Sequence, residues 1–170
     1  KVLGGSIGEM HAKKIANLYD MAMRMGAPVI GLIDCAGLRL QEATDALNAF
    51  GEVFMKQTLA SGVIPQITAI FGTCGGGAAL IPNLTDVTFM TKEGAKLFVN
   101  SPNALDENRA EKLDTAAADY VAENTANVDA VYDTEAELLG AVRTMVGLLP
   151  SNNEDDGDCA VCEDDVNRII

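Results

Sequence analysis

Two stretches of the chain, residues 27–35 and 63–71, are short, almost continuously apolar and run straight into turns built from Gly and Ala. An unbroken apolar run of this length, set after a helical pattern, is expected to form a strand buried on both faces, as in a parallel sheet covered by helices. The first run ends at Asp34-Cys35-Ala36-Gly37, the second at Gly72-Thr73-Cys74-Gly75-Gly76-Gly77. A chain that repeats strand, glycine turn and helix has few architectures open to it, and all belong to the α/β class.

The surrounding patterns fit that class. Ser6-Ile7-Gly8-Glu9 has the form of a capping box, so a helix should follow to about Met25, with Ile15, Leu18, Ala22 and Met25 on its inner face and Gly26 as its stop. A second helix is expected over 41–60, with Leu47, Phe50, Phe54 and Thr58 inward, and a short one over 78–81. Residues 86–90, 96–99 and 128–132 read as further strands, and 106–121 as a helix. Thr134-Glu135-Ala136-Glu137 is another capping box; it opens a helix carrying Leu138, Val142, Met145 and Leu149 that Pro150 closes. This order implies right-handed crossovers and a mainly parallel sheet. Residues 1–150 form the expected domain, and 151–170 an acidic, turn-rich linker.

The formal net charge of −13 argues against nucleic acid as a ligand and only weakly against small anions, since much of the acid lies within 152–165. No apolar stretch approaches the ~18 residues of a membrane span. The first residues, Lys1-Val2-Leu3-Gly4-Gly5, lack signal-peptide organisation, and the absence of a starting Met is what a fragment or processed chain would show. Four cysteines in no disulfide spacing point to a reducing cytoplasm. Cys159-x-x-Cys162 could be half of a zinc site or a redox pair, but no second pair completes four ligands, so the spacing reads as chance or as half of a site that a partner completes, and no metal residues are assigned in this chain.

The chemistry most available to such a chain lies in the two glycine turns. They let the backbone approach a ligand closely, and the second opens a helix, which adds the positive end of its dipole. N–H groups converging from both would make an oxyanion hole for an enolate or tetrahedral oxygen. The plain alternative is that both are tight connections. A phosphate site is disfavoured, because neither G-x-G-x-x-G nor Gly-Lys-Ser/Thr occurs. A nucleophilic hydrolase would have to pair Cys74 with the lone His11. A carboxylate base could be Asp34 or Glu42, and Arg39, Lys13 and Lys14 are candidates for phosphate contacts.

Several segments in combination resemble a known family. Gly4-Gly5-Ser6-Ile7-Gly8-Glu9-Met10-His11-Ala12-Lys13-Lys14-Ile15 is similar to GGS-x-GEMHA-x-KI of the biotin-dependent acyl-CoA carboxyltransferases, which include β subunits of propionyl-CoA carboxylase and decarboxylase α subunits. Ala27-Pro28-Val29-Ile30-Gly31-Leu32 with Asp34 to Glu42 resembles APVIGL-x-D-SGGARIQE. Residues 58–67 resemble TLASGV-x-PQI, 72–78 resemble GPCAGGA, and 149–153 resemble LPSNN. The resemblance implies a crotonase-like superhelix of ββα units. It implies carboxyl transfer between carboxybiotin and the α-carbon of an acyl-CoA, whose thioester enolate needs the oxyanion hole. Ala36 and Gly37 then stand where the family's SGG turn offers N–H groups, and Gly75 and Gly76 stand at the second turn. Ser6, Arg39 and Gly77 are the implied cofactor-binding positions. The implied partners are a biotin carboxyl carrier and a homologous second half, or a facing subunit, that binds biotin; an oligomer is expected, and a chain without that half should not turn over. The departures are Cys35-Ala36-Gly37-Leu38-Arg39 for SGGAR, no TGE or GGA-x-x-H motif over 106–128, and no strand before Gly4. Two other functions stay open: a biotin-independent hydratase or isomerase on acyl-CoA, and a non-catalytic interaction subunit.

Overall fold

The computed structural model describes residues 1–155. Five parallel strands form the sheet: β1 (Val29–Cys35), β2 (Gln66–Gly75), β3 (Val87–Thr91), β4 (Lys96–Phe98) and β5 (Ala130–Tyr132). The order is β1-β2-β3-β5, and β4 departs from that path to pair with the far end of β2. Helices α1 (Glu9–Met25) and α2 (Ala43–Ala60) cover one face, where Phe50 joins Ile33, Ile70 and Met90 in the largest core cluster. The other face carries α6 (Glu135–Leu148), whose Leu138 and Val142 meet Ile67, Ala69 and Phe89. The α/β class and the mainly parallel sheet are as expected from the sequence.

The first strand differs from expectation. It is buried on one face only: Ile30 and Leu32 are 43% and 60% exposed. They lie in register with Ile67 and Ala69, on the α6 side, but α6 packs over β2, β3 and β5. The strand lies at the edge of the sheet, and apolar content alone did not reveal that position.

The inner faces of the first two helices are only partly as expected: Ile15, Ala22, Phe50 and Phe54 pack inward, while the other predicted positions do not. α1 buries Ala12, Ala16 and Tyr19, while Leu18 and Met25 are exposed. α2 buries Ala46, Ala49, Phe50, Val53, Gln57 and Ala60, and leaves Leu47 and Thr58 outside. Both helices present alanine where they meet, as Ala12 packs with Ala49 and Val53. Small residues let two helix axes approach closely, and that contact outweighs the burial of a larger side chain.

Two boundaries shift for local reasons. β2 starts at Gln66 and continues to Gly75, because its last residues pair with both β1, at Cys35↔Cys74, and β4. The span 106–121 is two helices, α4 (Asp106–Glu111) and α5 (Ala118–Asn124). Lys112 turns left-handed at φ 55°, and the residues between give Leu97 a backbone partner at Ala116 O, 3.0 Å away. The short helix expected over 78–81 is a 3-10 turn, Gly76–Ala79, running into α3 (Leu80–Asn83).

Residues 152 and 153 pack back onto the domain: Asn152 Nδ2 donates to Gly26 O at 3.0 Å, and the Asn153 N–H to Val63 O at 2.9 Å. Cys159, Cys162 and most of the expected linker lie outside the described residues. Among the described residues no helix is long and apolar enough to cross a membrane, and no group of acidic, His and Cys side chains could hold a metal ion.

Candidate active site

The two glycine turns lie at the same end of adjacent strands and touch. Gly37 has φ 107°, and a Cβ built on it would lie 2.5 Å from Gly75 O. A Cβ on Gly75 would lie 3.4 Å from Ala36 O and 2.9 Å from the Phe98 ring. Side chains are therefore excluded from this contact, and Gly37 also needs a backbone region that L-residues avoid. Gly76 is left-handed too, at φ 58°, yet a Cβ there would meet nothing within 4 Å. The second turn opens onto free space at the position where Gly76–Ala79 begins and its first N–H groups lack partners within the helix. A Cβ on Gly77 would lie an ordinary 3.6 Å from the Phe50 ring.

The N–H groups of the first turn are not equivalent. That of Ala36 donates to Gly4 O at 3.0 Å. That of Gly37 points at Cys35 Sγ, 3.2 Å away, a weak acceptor. The sequence suggested a donor at each; the structure commits Ala36 to the 3-10 turn Leu3–Gly5 and leaves Gly37 the more easily released.

Residues 4–7 run beside 36–39 through that bond and two more, Ile7 N–H to Gly37 O and Arg39 N–H to Ile7 O, both 2.9 Å. The Arg39 guanidinium then crosses to Ser6, with Nη2 3.1 Å from Ser6 O and Nε 3.4 Å from Ser6 Oγ. Its Nη1 lies 3.4 Å from Glu42 Oε1. Glu42 Oε2 accepts the Glu9 N–H at 2.6 Å, so Glu42 caps α1. The expected Ser6 cap does not form: the N-cap is Gly8, whose N–H donates to His11 Nδ1 at 3.2 Å, and a Cβ on Gly8 would strike Glu42 Oε1 at 2.2 Å. The capping role of Glu42 has no short-range signature, because its partner lies 33 residues away.

The side-chain alternatives have other commitments. His11 is exposed and Cys74 fully buried, with Sγ donating to Ala78 O at 3.3 Å, and no hydrogen bond joins them. Burial, with Cys35 adding a smaller effect, pushes the Cys74 thiol up to about 12, which makes it a poor nucleophile. Asp34 pairs with Lys1 and accepts the Thr73 N–H at 3.1 Å, and both hold its carboxyl below the ordinary value. A carboxylate so stabilised is a weak base.

The carboxyl transferase domain model matches residues 1–169. The chain belongs to the carboxyl transferase domain family. Its relatives include the propionyl-CoA carboxylase beta chain of Roseobacter denitrificans, 42% identical over 99% of this chain and 34% of that protein. Another is the methylmalonyl-CoA decarboxylase subunit alpha of Veillonella parvula, 42% identical over 98% of this chain and 33% of that protein. This carboxyl transferase domain chain thus spans about a third of the length of the curated relatives it matches. Among solved structures, the transcarboxylase 12S hexamer core with hydrolyzed methylmalonyl-coenzyme A bound superposes with a TM-score of 0.84, at 29% identity over 95% of this chain and 32% of that one. The beta subunit of Pseudomonas aeruginosa geranyl-CoA carboxylase superposes at 0.77, with 26% identity over 88% of this chain and 29% of that one. The fold is the crotonase-like one of these carboxyltransferases.

Proposed function

We propose that this chain supplies the acyl-CoA half of a carboxyltransferase site. The transfer runs between carboxybiotin and the α-carbon of an acyl-CoA, and backbone N–H groups of the two turns hold the thioester oxygen as it becomes an enolate. Gly37 and Gly76 are the principal donors, Ala36 and Gly75 the flanking positions, and Gly77 borders the thioester. The observation that carries this is the packing of Gly37 on Gly75 beside the open face of Gly76. Loss of one such donor from an oxyanion hole costs about 3–4 kcal/mol in acyl transfer, which sets the scale.

Biotin supplies the carboxyl group in its N-carboxylated form. On this reading it is presented by a carrier partner to a second half or facing subunit, in an oligomer, and the described residues offer only the thioester side. Free, buried thiols at Cys35 and Cys74 accord with a reducing cytoplasm. A biotin-independent hydratase or isomerase gains no support, since its candidate bases Asp34 and Glu42 are both engaged.

Calorimetric titration with acetyl-, propionyl- and glutaconyl-CoA, against free CoA, tests the proposal. Tighter binding of a thioester than of free CoA, lost in Gly76→Val, is the expected outcome. Equal affinity for thioester and free CoA would contradict it.

A further inference from the structure

Arg39 carries a charge that an acyl-CoA phosphate could use, yet its side chain is only 18% exposed and each guanidinium nitrogen has a partner in this chain. It binds Ser6 twice and Glu42 once. Ser6 lies between Gly4, which takes the Ala36 N–H, and Ile7, whose N–H goes to Gly37 O. Glu42 in turn holds the first N–H of α1. Residue 43, next to Glu42, has a non-glycine φ of 45° at ψ −120°, a rarely occupied conformation.

Resting on the assignment of the two turns as an oxyanion hole, we infer that Arg39 and Glu42 are positioning residues: they clasp the Gly4–Ile7 segment against the first turn and so fix the direction of the Gly37 N–H. Ser6 is the anchor for the clasp, and none of the three touches CoA. The guanidinium suits this role because its planar fork reaches a carbonyl, a hydroxyl and a carboxylate at once, which an ammonium on a flexible stem does not. Glu42 suits it because one carboxylate accepts from both the fork and a helix end.

The test is amide hydrogen exchange by NMR on the full chain, comparing the natural sequence with Arg39→Lys and Glu42→Gln. The amides of Ile7, Ala36 and Arg39 report the clasp, and that of Ile70 reports the core. Exchange about tenfold faster or more at the first three, with Ile70 unchanged, is expected of a local opening. Unchanged rates at all four, or equal acceleration at all four, would overturn the inference. Titrations with a thioester and with free CoA add an independent readout. If the natural sequence shows no preference for the thioester, the oxyanion-hole assignment fails, while the exchange data still decide whether the clasp exists. If it shows one, Arg39→Lys is expected to reduce that preference and leave the affinity for free CoA unaltered. Equal losses for both ligands, with a changed salt dependence, would mean a direct phosphate contact and overturn the positioning role.

Discussion

At the residue scale, the two strand-end cysteines show how burial disarms a reactive group. Cys35 and Cys74 lie opposite each other on adjacent strands, each with its sulfur tied to nearby backbone. In a variant whose Cys159 and Cys162 are replaced by Ser, a neutral aromatic disulfide reagent should find no reactive thiol at pH 7.5 and two in denaturant. Rapid labelling in the native state would show that the turns open. The Cys74 thiol is held at about 12, against an ordinary 9.0, so the folded chain binds a proton there that the unfolded chain releases. That contribution is complete below pH 9 and is lost as pH rises from 9 toward 12. Urea midpoints measured across this window should fall less steeply for Cys74→Ala than for the natural sequence. The carboxylate of Asp34 works in the opposite sense. Lys1 and the Thr73 N–H depress it below 3.8, so its modest, solvent-screened contribution is present above that value and disappears as pH falls through the lower folded one.

At the element scale, three glycines at the turns serve three different needs. Gly72 makes room for the Asp34 carboxylate, Gly37 for the Gly75 carbonyl, and Gly76 only for its own backbone angle. The same substitution should therefore cost unequal amounts. Gly76→Ala, with open space around it, should lose only the left-handed penalty of about 1–2 kcal/mol. Gly37→Ala carries backbone strain and a 2.5 Å contact, and should lose about 3 kcal/mol or more. Urea unfolding of both checks the order. Ala43→Gly should gain about 1 kcal/mol by relieving its positive φ. The sequence disclosed that glycine turns end two strands, because local composition encodes a turn. It did not disclose that Gly72 to Gly75 stay extended, since their pairing with β1 and β4 is a long-range matter. Leu18, Met25 and Leu47 fall outside the buried faces of α1 and α2 for a related reason: periodicity weights large side chains, while the helices meet through alanines.

At the scale of the whole molecule, residues 152 and 153 tie down the ends of the sheet region opposite the turns, ahead of β1 and β2. Asn152 donates to the carbonyl that ends α1, filling the space a Cβ on Gly26 would need. Asn152→Ala should cost about 1 kcal/mol in urea unfolding and leave thioester binding unchanged. The 149–153 motif was legible as family resemblance, but its physical task was not, because Gly26 lies 126 residues from Asn152. The candidate site was legible to the same degree. Two glycine turns could be picked out from composition, and the family pattern named the positions within them. Which N–H is spent on Gly4, and which is left to a sulfur, depends on the packing of residues 4–7 against 36–39.

The central claim is that one oxygen is held between the two turns, and a carbonyl stretch reports that directly. A thioester labelled with carbon-13 at its carbonyl would be added to the chain, and the isotope-edited infrared difference recorded for the natural sequence and for Gly76→Val. A band at lower frequency than in water is expected, as two N–H donors polarise the carbonyl, with a return to the solution value in Gly76→Val. A band that stays at its solution frequency in the natural sequence would mean that the turns hold no oxygen.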